Sequence, residues 1–139
     1  KGGEQKNLIV KNSNILPLIC YEIIFPNLVQ KRDKKTNLII NISEDAWFGD
    51  SIGPHQHFAK AIFRSIESDT FLARTANRGI SAFIDNKGNI VKSLKINEKG
   101  YIELDVPLLE NNFRNKNDLI FLLLLFTYTI IFFTLRNKL

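Results

Sequence analysis

The chain has 139 residues, of which 45% are hydrophobic and 24% charged, so its composition is that of an ordinary globular domain with a core. Its net charge of +5 would be compatible with binding to nucleic acid. The lysines are scattered, however, and the one dense basic run, residues 31–35, is interpreted as a solvated connection between strands. We therefore expect no nucleic-acid partner. The single cysteine excludes an intrachain disulfide.

The beginning of the chain bears on how much of a functional site it contains. The sequence has no methionine and starts with Lys1, so we interpret it as a processed or partial sequence that lacks its N-terminal part. We therefore expect a catalytic site to be only partly present and this piece alone to be inactive.

Two apolar runs in the first third predict strands. Residues 15–20 end at Cys20, and Pro17 within them indicates an edge or an irregular start. Residues 37–42 are rich in isoleucine and predict a second, buried strand.

A helix is predicted from residue 53 to about residue 69. Pro54 suits the first turn of a helix. Arg64 and Glu67 stand three positions apart, which predicts a structural ion pair on the helix. Apolar residues recur along one face, at Phe58, Ile62 and Ile66 with Ala59 and Phe63 beside them.

The next part of the sequence predicts further strands. Residues 70–75 are compatible with one strand, and residues 80–84 and 90–94 flank an Asp-Asn-Lys-Gly-Asn turn that predicts a hairpin. Residues 100–106 alternate between apolar and polar side chains and predict a last strand.

The C-terminal quarter is dominated by apolar residues. After a polar linker, residues 107–118, the segment 119–135 carries no charge and would extend roughly 25 Å as a helix, just short of a hydrocarbon core. We predict a transmembrane helix there, followed by a short tail, residues 136–139. The alternative is a buried core helix, which is disfavoured because the segment is apolar all round.

Cys20 stands where an apolar strand ends, followed by Tyr21 and Glu22. A strand end holds a nucleophile firmly, and the next loop can direct backbone N–H groups at a developing oxyanion. Taken alone, such a cysteine is more often a small buried hydrophobic residue.

A resemblance favours the catalytic interpretation. The sequence resembles the nitrilase (carbon–nitrogen hydrolase) superfamily and, more narrowly, the apolipoprotein N-acyltransferases of bacterial envelopes. The resemblance rests on Ile-Cys-Tyr-Glu-Ile-Ile-Phe-Pro at 19–26, Asp-Ala-Trp-Phe-Gly-Asp at 45–50 with Gly-Pro-His-Gln-His at 53–57, Ala-Arg-Thr-Ala-Asn at 73–77 with Gly-Ile-Ser-Ala at 79–82, and the apolar tail.

The resemblance implies an α/β fold, in which residues 1–106 form the C-terminal part of an α-β-β-α sandwich. It implies a Cys-Glu-Lys triad with Cys20 as nucleophile, the backbone N–H of Tyr21 as oxyanion donor and Glu22 as a supporting carboxylate. The triad glutamate and lysine are expected upstream of residue 1, because no matching motif precedes Cys20 here.

The resemblance also implies substrates and a location. An acyl chain would pass from a phospholipid to Cys20 and then to the N-terminal amine of a lipid-modified cysteine on an apolipoprotein, with no cofactor. The protein would lie in the bacterial inner membrane with its catalytic domain facing the periplasm. Two alternatives stay open: a nitrilase-type amidohydrolase acting on C–N bonds, and a non-catalytic tail-anchored module with an inert Cys20.

Four further residues are pocket candidates. His55 and His57 are two positions apart, which does not put them on one helix face as a metal pair, so we expect no metal site and interpret them as residues that shape the pocket. Trp47 and Phe48 are interpreted either as core residues or as contacts for acyl chains.

Overall fold

The computed structural model describes residues 6–30, 36–109 and 116–136, which form one mixed six-stranded sheet with helices. The strands are, in chain order, β1 (Leu8–Val10), β2 (Ser13–Ile19), β3 (Leu38–Glu44), β4 (Phe71–Asn77), β5 (Ser81–Ile84) and β6 (Ile90–Leu94). The helices are α1 (Pro26–Gln30), α2 (Gly53–Glu67) and α3 (Lys116–Arg136), with short 3-10 helices at Cys20–Ile24 and Ala46–Phe48.

The order of strands in the sheet follows their order in the chain. Strands β2, β3 and β4 are parallel, because a helical connection follows β2 and another follows β3. β1 is antiparallel to β2, and β4, β5 and β6 form an antiparallel series. The strands, the helix and the hairpin predicted between residues 15 and 94 are thereby confirmed, whereas β1 was not predicted.

Pro17 lies at an open side of β2, as its lack of an N–H suggests. The partners of β1 on β2 are Ser13, Asn14 and Ile15, whereas β3 pairs with β2 as far as Ile19. Beyond Ile15, β2 is therefore a local edge within the described sheet.

One face of the sheet is covered by α2 and the 3-10 helix at Cys20–Ile24. Alternate residues of β2, β3 and β4 point to this face, which is why burial alternates along most of these three strands. The core consists of the side chains of Leu16, Leu18, Ile23, Val29, Ile39, Phe58, Ala61, Leu72, Ala82 and Ile84.

The apolar face predicted for α2 is only partly correct. Phe58 is buried, but Phe63 and Ile66 are about half exposed, and the buried stripe continues through Ala61 and Ser65 instead. The end of α2 lies beside the β5–β6 turn, where Gly88 faces the side chain of Ile66.

The opposite face of the sheet is more open. Ile19 is 55% exposed and Ile42 is 52% exposed, although both belong to central strands. The described residues thus supply one β layer and one α layer of the four-layer sandwich that the resemblance implies.

The strand predicted for residues 100–106 does not form. Tyr101 is 84% exposed, and the contact of this segment with β6 is made by a side chain, since Lys92 Nζ donates to the carbonyl oxygen of Glu103 at 2.6 Å. Alternation of apolar and polar residues is insufficient here, because a strand needs a ladder of backbone hydrogen bonds.

The apolar C-terminal segment is helical in α3, and side chains such as Leu124 and Phe126 are exposed. Within residues 6–30, 36–109 and 116–136, no helix meets the combined length and apolarity required to cross a membrane. The predicted transmembrane helix at 119–135 is therefore not supported, and its 17 residues are fewer than the roughly 20 that a span usually needs. Half of the predicted linker, residues 110–115, lies outside the described residues.

Candidate active site

The carboxyl ends of the three parallel strands bring polar residues together. Cys20 follows β2, Asp45 follows β3, and Asn77 ends β4. Parallel strands end at the same edge of a sheet, where ligands of open α/β sheets usually bind. Residues far apart in the sequence are therefore neighbours at this edge.

Cys20 starts the 3-10 helix with an uncommon backbone conformation. Its φ of 50° lies in the left-handed region, which costs a residue other than glycine about 1–2 kcal/mol. Sγ lies 3.8 Å from Ser43 Oγ and 3.9 Å from the carbonyl oxygen of Glu44. The half-buried thiol thus sits above the end of β3, in a strained turn of the kind that clusters at functional sites.

Glu22 braces this turn. Its Oε2 accepts a hydrogen bond from the backbone N–H of Ile19 at 2.7 Å, so the carboxylate reaches back across Cys20. The contact joins the last residue of β2 to the turn that follows it. Its predicted role in supporting catalysis stays a prediction.

Tyr21 contributes a half-exposed ring between two elements. The ring centroid lies 6.4 Å from that of Phe25 and 5.6 Å from that of His57 in α2. The aromatic contact fixes the position of the residue that follows Cys20, and its predicted role as backbone oxyanion donor also stays a prediction.

Beneath the turn lies a buried group of three charged or ionisable side chains, here called the buried cluster: Asp45, His57 and Arg74. Arg74 Nη2 donates to Asp45 Oδ2 at 2.7 Å, and His57 Nδ1 lies 2.9 Å from Asp45 Oδ1. Ser43 Oγ donates to Asp45 Oδ1 at 2.8 Å. All three members of the cluster are at most 3% exposed.

The charges of the buried cluster hold one another in place. Burial opposes ionisation of Asp45, but hydrogen bonds from His57 and Ser43, together with the charge of Arg74, outweigh it and lower the pKa of Asp45 below its ordinary value. Burial lowers the pKa of Arg74 from its usual value, which Asp45 opposes through its charge and hydrogen bond. An ionised pair is the arrangement that these contacts favour.

His57 is oriented by Asp45. With Nδ1–H donated to the carboxylate, Nε2 becomes the acceptor, and it has no hydrogen-bond partner among the described residues. A cavity of about 140 Å³ is lined by His57 together with Tyr21, Phe48 and Lys60. This cavity adjoins the residue that follows Cys20.

The four pocket candidates do not form one pocket. His57 and Phe48 meet at 5.7 Å between ring centroids, and Phe48 lines the same cavity as His57. His55 is exposed and lines a different cavity with Phe58, whereas Trp47 is 75% exposed. In the part of the chain that the structure describes, no three His, Cys, Asp or Glu side chains are grouped to hold a metal ion.

Of the lysines that precede Cys20 in the sequence, the structure describes Lys6 and Lys11. Lys11 precedes β2 and therefore lies at the opposite end of that strand from Cys20. Lys6 is exposed before β1, and Lys1 and Glu4 lie outside the described residues. A triad glutamate and lysine upstream of residue 1 stay a prediction.

Asp45 and Arg74 were not predicted as site residues, although a signal for them exists. Arg74 stands inside an apolar strand, and a buried charge is rarely found without an opposite charge beside it. An arginine in a predicted core strand therefore indicates a buried carboxylate nearby.

Sequence comparison agrees with this arrangement. The chain is 40% identical over 134 residues to an apolipoprotein N-acyltransferase of Rickettsia bellii (strain RML369-C), covering 92% of this chain and 26% of the relative. It is 50% identical over 93 residues to that of Rickettsia typhi (strain ATCC VR-144 / Wilmington), covering 67% of this chain and 19% of the relative. The chain thus spans about a quarter or less of the length of these relatives.

Solved structures share the fold. An amidase from Nesterenkonia sp. AN1 matches with a TM-score of 0.61 at 22% identity, covering 83% of this chain and 48% of the amidase. Saccharomyces cerevisiae Nit3, from branch 10 of the nitrilase superfamily, matches with a TM-score of 0.61 at 22% identity, covering 70% of this chain and 39% of Nit3.

The family itself is settled by the extent of one match. The carbon-nitrogen hydrolase family model covers residues 5–110, which include all six strands and the turn at Cys20. The chain therefore belongs to the carbon-nitrogen hydrolase family.

Proposed function

We propose that this chain supplies the nucleophile of an N-acyltransferase that matures bacterial lipoproteins. The Cys20 thiolate attacks the ester carbonyl carbon of a phospholipid, and the lysophospholipid leaves with a proton on its oxygen. The free α-amine of an N-terminal, lipid-modified cysteine then attacks the thioester. An amide forms, the amine loses a proton, and the Cys20 thiol is regenerated.

The position of Cys20 is the observation that carries the chemical step. The thiol stands at the edge where three parallel strands end, it is half buried, and its backbone is held in a left-handed turn. This combination gives a nucleophile a defined direction while leaving it accessible, which are the two requirements of covalent catalysis.

The oxyanion of each tetrahedral intermediate needs hydrogen-bond donors. We assign the backbone N–H of Tyr21 to this role, because Tyr21 directly follows the nucleophile and starts the 3-10 turn with it. The general base and the cationic donor are the glutamate and lysine expected upstream of residue 1.

The choice of substrates rests on the relatives, which are named apolipoprotein N-acyltransferases. Exposed apolar side chains on α3, among them Leu124 at 65% and Phe126 at 64%, support contact with lipid, where such side chains are more stable than in water. We accordingly place the protein at the bacterial inner membrane, with Cys20 on the periplasmic side, where both substrates are held in the bilayer.

The experiment uses the intact protein with phospholipid that carries a labelled acyl chain. Without acceptor, we expect label on Cys20 that is released by hydroxylamine; with a lipopeptide bearing a free N-terminal amine, the label should move to that amine. The control is Cys20→Ala, in which both signals should disappear. Ser65→Ala, a change in α2 away from the turn, should retain both.

Three results would count against the proposal. Release of labelled free acid in the presence of acceptor would indicate a hydrolase acting through the same thiol. Undiminished transfer by Cys20→Ala would remove Cys20 as nucleophile. Absence of any acylation in the intact protein would favour the non-catalytic alternative.

A further inference from the structure

Asn41 is a polar residue at the centre of β3, on the face of the sheet that carries the hydrophobic core. It pairs in register with Leu18 on β2 and with Arg74 on β4, and it is fully buried. Its neighbour on the same face, Ile39, belongs to the hydrophobic core. Burying an amide costs free energy unless its groups are hydrogen-bonded, so the partners of Asn41 identify its purpose.

The amide group of Asn41 contacts the backbone on both sides of the bend before Tyr21. Nδ2 donates to the carbonyl oxygen of Leu18 at 3.0 Å and lies 3.4 Å from the carbonyl oxygen of Cys20. The first carbonyl belongs to the strand and the second to the left-handed residue. One side chain therefore connects the end of β2 to the turn that follows it.

The orientation of this amide is determined by Arg74. Arg74 Nη1 donates to Asn41 Oδ1, and a guanidinium has no acceptor atom, so the amide oxygen must face it and the NH2 group must face the two carbonyls. Arg74 is in turn held by Asp45. A continuous series of contacts thus runs from Asp45 through Arg74 and Asn41 to the backbone of Cys20.

The left-handed conformation of Cys20 is unfavourable for a residue other than glycine, and the two contacts of the Asn41 amide offset that strain. Without the amide, the turn loses much of what offsets its strain, and the thiol and the N–H of Tyr21 lose their defined direction.

We propose that Asn41 is a positioning residue: its amide holds Cys20 in the left-handed turn, and Arg74 fixes the direction of that amide. The inference rests on the proposed function, since it concerns how the nucleophile is aimed. Asn41 itself does not touch the substrate.

Asn41→Asp in the intact protein is the main test. The substitution keeps the size of the side chain and an oxygen for Arg74, but it replaces the NH2 donor by an oxygen that faces two carbonyls. We expect kcat for acyl transfer to fall about 100-fold, the scale of a displacement of about 1 Å, with KM changed less than about twofold.

Thr70→Val is the matched control, because Thr70 is also fully buried and hydrogen-bonded near the sheet but is remote from Cys20. It should lower the melting temperature without lowering kcat. If Asn41→Asp fails to fold, Arg74→Lys is tested instead. The lysine ammonium keeps a positive charge beside Asp45, but it lacks the planar guanidinium that bonds Asp45 and Asn41 at the same time, so kcat should fall about tenfold.

The outcomes separate the two proposals. If kcat of Asn41→Asp or Arg74→Lys equals that of Thr70→Val, the positioning role is overturned. The proposed function then still stands, provided that Cys20→Ala is inactive. Transfer by Cys20→Ala in the same assay would overturn the proposed function instead. A loss of kcat in Asn41→Asp that matches its loss of folded protein would also contradict the positioning role.

Discussion

The turn at Cys20–Ile24 and the buried cluster lie at the same edge of the sheet but are built in opposite ways. In the turn, the Tyr21 side chain is 49% exposed and the Cys20 thiol is accessible. In the cluster, Arg74 is 3% exposed and Asp45 is 1% exposed. The exposure of the turn lets a substrate reach the reactive thiol. The burial of the cluster excludes water, which strengthens the attraction between its charges.

The two regions also carry different costs. The turn bears backbone strain at Cys20, and the cluster bears the desolvation of two charges. They meet at Ser43, whose hydroxyl donates to Asp45 and lies 3.8 Å from Cys20 Sγ. Substitutions in the cluster should therefore affect stability first, and substitutions in the turn should affect turnover first.

The largest effect on stability is expected from Arg74→Met. Loss of the guanidinium leaves the buried Asp45 carboxylate without its cation, so the free energy of unfolding should fall by about 3–5 kcal/mol in a denaturant titration of the intact protein. Arg64→Met is the control: the Arg64 side chain is 6% exposed, but its partner Glu67 is 37% exposed, so water can solvate the carboxylate that is left behind and the loss should be smaller. Equal losses would contradict the distinction between a charge pair with both members buried and one whose carboxylate reaches water.

Gly79→Ala should destabilise the cluster from its other side. Gly79 is buried, and a Cβ there would collide with the Asp45 carboxyl group and come within 2.8 Å of Ala76 Cβ. We expect a loss of about 1–3 kcal/mol in thermal or chemical unfolding. Gly100→Ala is the control, since a Cβ at that position has its nearest neighbour at 3.5 Å, an ordinary contact. A neutral Gly79→Ala would show that the cluster can shift to make room.

The pH dependence of stability should report Asp45. Its pKa is below the ordinary 3.8 in the folded state, so its stabilising contribution is complete above pH 3.8 and is lost as the pH falls through the lowered pKa. As the pH falls, the free energy of unfolding of the wild type should decrease more steeply than that of Asp45→Asn, by up to about 1.4 kcal/mol per pH unit. The pKa values of Glu44 and Asp85 are lowered too, so some slope should remain. Identical slopes would mean that folding does not lower the pKa of Asp45.

The smallest effect on stability is expected from Glu22→Gln. The amide oxygen of glutamine can still accept from Ile19 N–H, so stability should change by less than about 0.5 kcal/mol. Turnover should nevertheless fall about tenfold or more, because the negative charge beside the nucleophile is lost. Glu98→Gln is the matched control, since the Glu98 carboxylate accepts a hydrogen bond from the backbone N–H three residues earlier, that of Lys95, at 2.8 Å. Unchanged turnover would leave Glu22 a purely structural brace.

Local patterns in the sequence were sufficient for most elements. Isoleucine-rich runs, the early proline of α2 and the Asp-Asn-Lys-Gly-Asn turn each depend on neighbours within a few positions. The same local reasoning failed for residues 100–106, where alternation is present but no strand forms. It also placed Phe63 and Ile66 on the packed face of α2, although both are about half exposed.

The sequence by itself determined that β2, β3 and β4 are strands, and it determined the helix between two of them, the hairpin after them and the family, because periodicity, turn residues and motif spacing are local properties. Only the tertiary structure decided that Asn41 meets Arg74, 33 positions away, and that Asp45 lies between Arg74 and His57. Those contacts depend on the register of three strands and on how α2 packs across them. Register is set by burial of the whole face at once, so no single segment of the sequence contains it.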